Sequence, residues 1–129
     1  MYDIYYAHHQ WKYGTKVETY ELNLIKRYFP NAKIFNPSTD LTSLFPQQTE
    51  DLIMEECLET VRNSDILVFS SVDGCIGTGV YREIMEAQNN EKIIFYIHDD
   101  SLHINFNISE REDSGKTDRL FAKVTLDLW

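Results

Sequence analysis

The sequence predicts an α/β domain in which a mostly parallel sheet is layered between helices and followed by an antiparallel hairpin. Three observations carry that reading. Short runs of β-forming residues alternate with stretches of helical periodicity from residue 3 to residue 97. The run ILVFSS (66–71) is apolar enough for a strand buried on both faces. Beyond residue 103 the helical signal stops and two segments alternate apolar with polar residues.

The elements follow in order. Residues 3–7 (DIYYA) form a first strand that runs into the polar stretch His8, His9, Gln10 and Trp11. Val17, Tyr20, Leu24, Ile25 and Tyr28 recur at helical spacing and predict an amphipathic helix over 15–29, stopped by Pro30 and Asn31. Residues 32–36 (AKIFN) make a second strand, closed by Pro37, and the polar stretch through Gln48 reads as loop or irregular turn. Met54, Cys57, Leu58 and Val61 mark one face of a helix from about Glu50 to Asn63, and Asp65 opens the third strand. The loop VDGCIGTG (72–79) leads to a helix with Val80, Ile84 and Ala87 inward, and KIIFYI (92–97) is the fourth strand. Parallel neighbours need long crossovers, and these are right-handed, so this alternation predicts a flavodoxin-like or Rossmann-like three-layer sandwich. INFNI (104–108) and 120–129 read as an edge hairpin or an arm for a partner subunit, separated by the polar EREDSGKTD.

The chain has 129 residues, 43% of them hydrophobic, which suits a single domain over 1–129. No apolar run approaches the roughly 18 residues of a membrane span, and the amino terminus lacks a signal-type pattern, so the expected location is the cytoplasm. A formal net charge of −9 argues against nucleic acid or an anionic membrane as partner. Cys57 and Cys75 lack CxxC spacing and read as free thiols. The histidines at 8, 9, 98 and 103 have no companion spacing for a metal, so neither metal nor organic cofactor is expected.

In such sheets ligands bind beyond the carboxyl ends of the strands. Four stretches meet there: 7–13, 36–39, 70–79 and 98–101. The third holds Gly74, Gly77 and Gly79, three of the five glycines, directly before a helix whose first N–H groups favour a polar or anionic group. It is not a dinucleotide fingerprint, since the GxGxxG form is missing. Glu83 lies three residues after Val80 and four before Ala87, which puts its carboxylate on or beside the apolar face, although a glutamate there can also complement the helix dipole at a solvated flank. Glu86, four residues beyond Arg82, reads as half of a surface pair. Asn36, Ser70 and Ser71 stand at strand ends and are candidate substrate ligands; capping helices or satisfying turns is the alternative. Trp11 and Tyr13 can stack on a base or serve a core or interface.

IYYAH (4–8), the helix with Glu18 and Glu21, AKIFNPS (32–38), SDILVFSSVDG (64–74) and GTGVYREIMEA (77–87) together resemble the nucleoside 2-deoxyribosyltransferase superfamily over residues 3–97. The resemblance implies Glu83, four residues after Gly79, as the nucleophile and Tyr5 as the group that orients it. It implies a nucleoside or nucleotide substrate whose base leaves while a glycosyl ester forms, then passes to a second base or to water. Gly77 and Gly79 would border the substrate, and Asp73 or His8 would protonate the departing base. The family commonly has acids at the positions held here by Cys57 and Gly77. Gln47 and Gln48 are further candidates for the base. A homodimer or larger homo-oligomer is implied as well, with the ending Leu126–Trp129 suited to the contact. Two other readings stay open: a non-catalytic nucleotide or nucleotide-sugar binding module, and a nucleotide or NAD glycohydrolase of a related fold.

Overall fold

A computed structural model describes residues 1–41, 49–111 and 120–127. In chain order these form β1 (Asp3–Ala7), α1 (Lys16–Tyr28), β2 (Lys33–Phe35), the single turn α2 (Pro37–Asp40), α3 (Glu50–Arg62), β3 (Ile66–Phe69), β4 (Cys75–Gly77), α4 (Thr78–Asn89), β5 (Ile93–His98), β6 (Ser101–His103), β7 (Phe106–Glu110) and β8 (Leu120–Leu126). The main sheet has the order β2-β1-β3-β5-β6, parallel except for β6. Its parallel part is the flavodoxin-like order, with Ile4 opposite both Ile34 and Ile66.

Side chains alternate across a strand, so β1 and β3 build two cores at once. Tyr5, Ala7, Leu67 and Phe69 pack with Cys57 and Val61 of α3 and with Val80, Ile84 and Ala87 of α4. Ile4, Tyr6, Ile66 and Val68 pack on the opposite face with Leu24 and Ile25 of α1. Thr15 and Thr49 cap α1 and α3 by accepting the N–H groups of Glu18 and Leu52, satisfying donors that have no partner inside the helix.

Three expectations are corrected and a fourth is extended. The apolar stripe read on α1 faces inward only at Leu24 and Ile25: Val17, Tyr20 and Tyr28 are exposed, and Glu18 and Glu21 complete the buried face. The segment 72–79 is more than a loop. Asp73 and Gly74, both with positive φ (51° and 77°), make a tight turn closed by Val72 and Cys75, and the chain continues as β4. The expected antiparallel hairpin is present as β7 and β8, and it is extended: β8 also pairs antiparallel with β4, giving a separate three-stranded sheet of order β4-β8-β7, while β6 extends the main sheet. Glu86 pairs with Arg62 of α3 at 3.1 Å, a partner that helical spacing cannot reveal.

Candidate functional site

The dipeptide Tyr5-Tyr6 sends one phenol to each face of β1, and each meets a buried glutamate. On the α3/α4 face the Tyr5 hydroxyl donates to Oε2 of Glu83. The thiol of Cys57, from α3, also interacts with both Tyr5 and Glu83. Glu83 is only 5% exposed, so its charge meets little water. Burial pushes its pKa up to about 7, against the pull of the hydrogen bonds from Tyr5 and Cys57. Burial, with Glu83 nearby, also pushes Cys57 up to about 12 and raises Tyr5, so both stay protonated donors.

On the α1 face the Tyr6 hydroxyl donates to Oε1 of Glu21 at 2.6 Å, and the Ser70 hydroxyl donates to the same oxygen at 2.7 Å. The Lys12 ammonium reaches Oε2 of Glu21 at 2.9 Å, Oγ of Ser70 at 2.8 Å and the Ser71 carbonyl at 2.8 Å. It comes from a 3₁₀ turn, Gln10–Lys12, that brings the chain back over the end of β3. Beside this network the His8 ring stacks on Tyr6, 3.8 Å between centroids, and its Nε2 meets Oε2 of Glu18 at 2.7 Å. Burial lowers the pKa of His8, opposed by Glu18. Burial acts to raise Glu18, but the hydrogen bonds from His8 and the Gly14 N–H hold it below the usual carboxylate range. Tyr13 joins the two clusters. Its ring packs 4.9 Å from His8, and its phenol pKa is raised by burial and then by Glu83, Cys57 and Glu18.

Glu83 and Tyr5 are in contact. Ser70 is engaged as donor to Glu21 and acceptor from Lys12, and the Ser71 hydroxyl pairs with the Tyr96 hydroxyl at 2.7 Å. Asn36 caps α2, its Oδ1 accepting the Ser38 N–H at 2.9 Å. His8 is buried. Asp73 is exposed on its turn. Gly77 is the buried amino-terminal cap of α4, and Gly79 lets α4 approach α3, since a Cβ there would stand 3.3 Å from Cε of Met54. Gln47, Gln48 and Trp129 lie outside the described residues.

Sequence reasoning missed Lys12, and it missed Glu18 and Glu21 as buried groups. A signal for the glutamates existed, since they share a helical stripe with Leu24 and Ile25. None existed for Lys12, which meets Glu21 from outside α1 and whose other partners, Ser70 and Ser71, sit far along the chain. Two cavities, of about 350 Å³ between α4 and β7 and about 300 Å³ around Tyr2 and Phe29, lie away from Glu83. Among the described residues no group of three or more His, Cys, Asp or Glu side chains could hold a metal ion, and no helix is long and apolar enough to cross a membrane.

The architecture is α/β, a mostly parallel sheet with helices and a separate antiparallel three-stranded sheet. No family model matches the chain, and no curated protein matches it. Among solved structures it is similar to the CMP N-glycosidase BcmB of Clostridium botulinum, at 12% identity and a TM-score of 0.46. The likeness covers 73% of this chain, which spans 66% of that one.

Proposed function

We propose that this chain breaks the N-glycosidic bond of a nucleoside or nucleoside 5′-monophosphate with Glu83 as nucleophile, passing the sugar to water or to a second base. The single observation that carries the reading is a buried glutamate in the second turn of α4, held by the hydroxyl of Tyr5 from the middle of β1 and with its pKa pushed to about 7. A carboxyl poised there is ionised in part at neutral pH, and desolvation makes its anion reactive. Tyr5 holds Oε2, and the carboxylate attacks the anomeric carbon once substrate displaces the Cys57 thiol. The C1′–N bond breaks as the ester forms, its electron pair leaving on the base, which takes up a proton; the acceptor then attacks C1′, gives up a proton, and the ester's electron pair returns to Glu83. The sugar lies over the ends of β1 and β3, near Ser71 and Asn36. Asp73 takes no part in this scheme, being exposed on its turn. The active unit is a homodimer or larger assembly, a part of the proposal that a monomer mass by light scattering would remove.

A binding module without chemistry is the second reading, favoured by the 5% exposure of Glu83 and the two neutral donors that already occupy it. Release of free base separates the two. Ribo- and deoxynucleosides and their 5′-monophosphates are incubated with wild type and Glu83→Gln, with and without an acceptor base. Release by wild type alone supports the glycosidase, and acceptor dependence marks a transferase. Binding of a nucleotide without release from any substrate leaves the module.

A further inference from the structure

We propose that a second copy of this chain docks about a two-fold axis on the α1 face of the main sheet, the α1 helices of the two copies lying side by side. This contact deepens the assembly part of the reading above, on which it rests, and is independent of the chemistry at Glu83. Five strands about 4.8 Å apart need about two helices, each about 10 Å wide, to cover one face. The face that holds Tyr5 has them in α3 and α4, and Phe106 of β7 packs there as well. On the face that holds Tyr6, α1 packs over β1 and β3 through Leu24 and Ile25. Alternation along β5 turns Ile93, Phe95 and Ile97 to this same face, with Leu102 of β6 beside them. Ile97 is buried, Phe95 and Leu102 are partly covered, and Ile93 is 54% exposed. The flank of α1 continues the apolar surface, where Val17, Tyr20 and Tyr28 share a stripe with the buried Leu24 and are exposed themselves. The Tyr20 hydroxyl donates to Asp100 on the turn between β5 and β6, so this stripe borders those strands. Helix flank and sheet floor form an apolar corner about one helix wide.

Charge and shape select the occupant. The chain carries a formal net charge of −9, yet α1 is locally positive, because its two acids, Glu18 and Glu21, are buried and the charges it exposes are Lys16, Lys26 and Arg27. The turn beside the corner exposes Asp99 and Asp100. A helix with an apolar stripe flanked by cations suits such a corner, and α1 of a second copy is such a helix. A ridge beside a step is also self-complementary under a two-fold rotation, the geometry of an isologous dimer. The rotation sets the two α1 helices antiparallel. Val17 of one copy then lies beside Tyr28 of the other, and Lys26 and Arg27 of one come level with Tyr20 of the other, next to Asp99 and Asp100.

The test is the mass of the full chain by light scattering and sedimentation velocity, with base release assayed separately. Wild type is expected at the mass of two chains at about 10 μM. Val17→Glu and Ile93→Lys put a charge into the corner at positions that are half exposed within one chain, so each should keep the wild-type circular dichroism spectrum while weakening the dimer about 100-fold. The first also adds an acid to the first turn of α1, where the helix dipole favours it. Lys26→Glu with Arg27→Glu should weaken the dimer about tenfold, an effect that shrinks as salt is raised. Leu52→Glu, at an equally exposed apolar residue of α3 on the opposite face, is the control and should leave the dimer intact. A dimer unmoved by Val17→Glu and Ile93→Lys, or broken by Leu52→Glu in their place, overturns the contact. A wild type that stays a single chain at about 100 μM overturns it too, together with the assembly proposed above, while Glu83-dependent base release judges the chemistry by itself.

Discussion

Replacing Glu83 by Gln should stabilise the fold, by an amount that grows with pH. A carboxyl with an ordinary value of 4.5 that burial raises to about 7 keeps its proton longer in the folded chain than in the unfolded one. Between those values the folded state binds more protons, so stability falls as pH rises through the window and is lost in full above about pH 7. At about 1.4 kcal/mol per pKa unit the loss comes to about 3 kcal/mol, or roughly 10 °C in Tm for a chain of this size. Glutamine keeps the carbonyl that accepts from Tyr5 and carries no charge to desolvate. Urea unfolding of both proteins at pH 4.5, 5.5, 7 and 8.5 should therefore give curves that nearly coincide at the acid end, with Glu83→Gln about 3 kcal/mol more stable at the alkaline end. A difference that stays flat with pH would show that Glu83 ionises freely in the folded chain, and the argument from its burial would fail.

Lys12→Met should destabilise by about 3–5 kcal/mol in urea, because Glu21 keeps its buried charge while losing its cation, and Lys12→Met with Glu21→Gln should recover much of the loss. A loss below about 1 kcal/mol for the single change would refute the charge-compensation argument. Gly79→Ala should change stability by no more than about 1 kcal/mol, since the helix propensity gained offsets the displacement of Cε at the flexible end of Met54. A loss above about 3 kcal/mol would mean that the thioether has nowhere to go.

What the sequence made legible was short-range. The strand at ILVFSS, the face of α3 and the inward turn of Glu83 all follow from spacing within one element, and β3, Cys57, Leu58, Val61 and Glu83 are buried as that spacing implies. The face of α1 was misread in part because Val17, Tyr20 and Tyr28 outvoted two acids, while Leu24 and Ile25 are buried as read. Those acids are buried only because His8, Lys12, Tyr6 and Ser70 come from other elements to receive them. The strand β4 escaped notice for a related reason. Its three residues have no periodicity of their own, and what makes them a strand is pairing with β8 from the far end of the chain.

The two tyrosine–glutamate pairs around β1 explain why one carboxylate is the better candidate for chemistry. Both glutamates are buried, both accept a phenol hydroxyl from the same dipeptide, and they approach from opposite faces of one strand. The difference lies in charge. Glu21 has an ammonium 2.9 Å away and a serine hydroxyl besides, so its anion is neutralised and its lone pairs are occupied. Among the described residues Glu83 meets a hydroxyl and a thiol, neither carrying charge. Removing water from a compensated carboxylate costs little and yields an inert support. Removing it from an uncompensated one leaves an anion whose missing partner is a cation, and in the proposed reaction a developing oxocarbenium at C1′ would supply that partner. On this argument the fold uses one side-chain pairing twice, once to hold α1 against the sheet and once to keep a carboxylate short of charge, and the presence or absence of Lys12 divides the two roles.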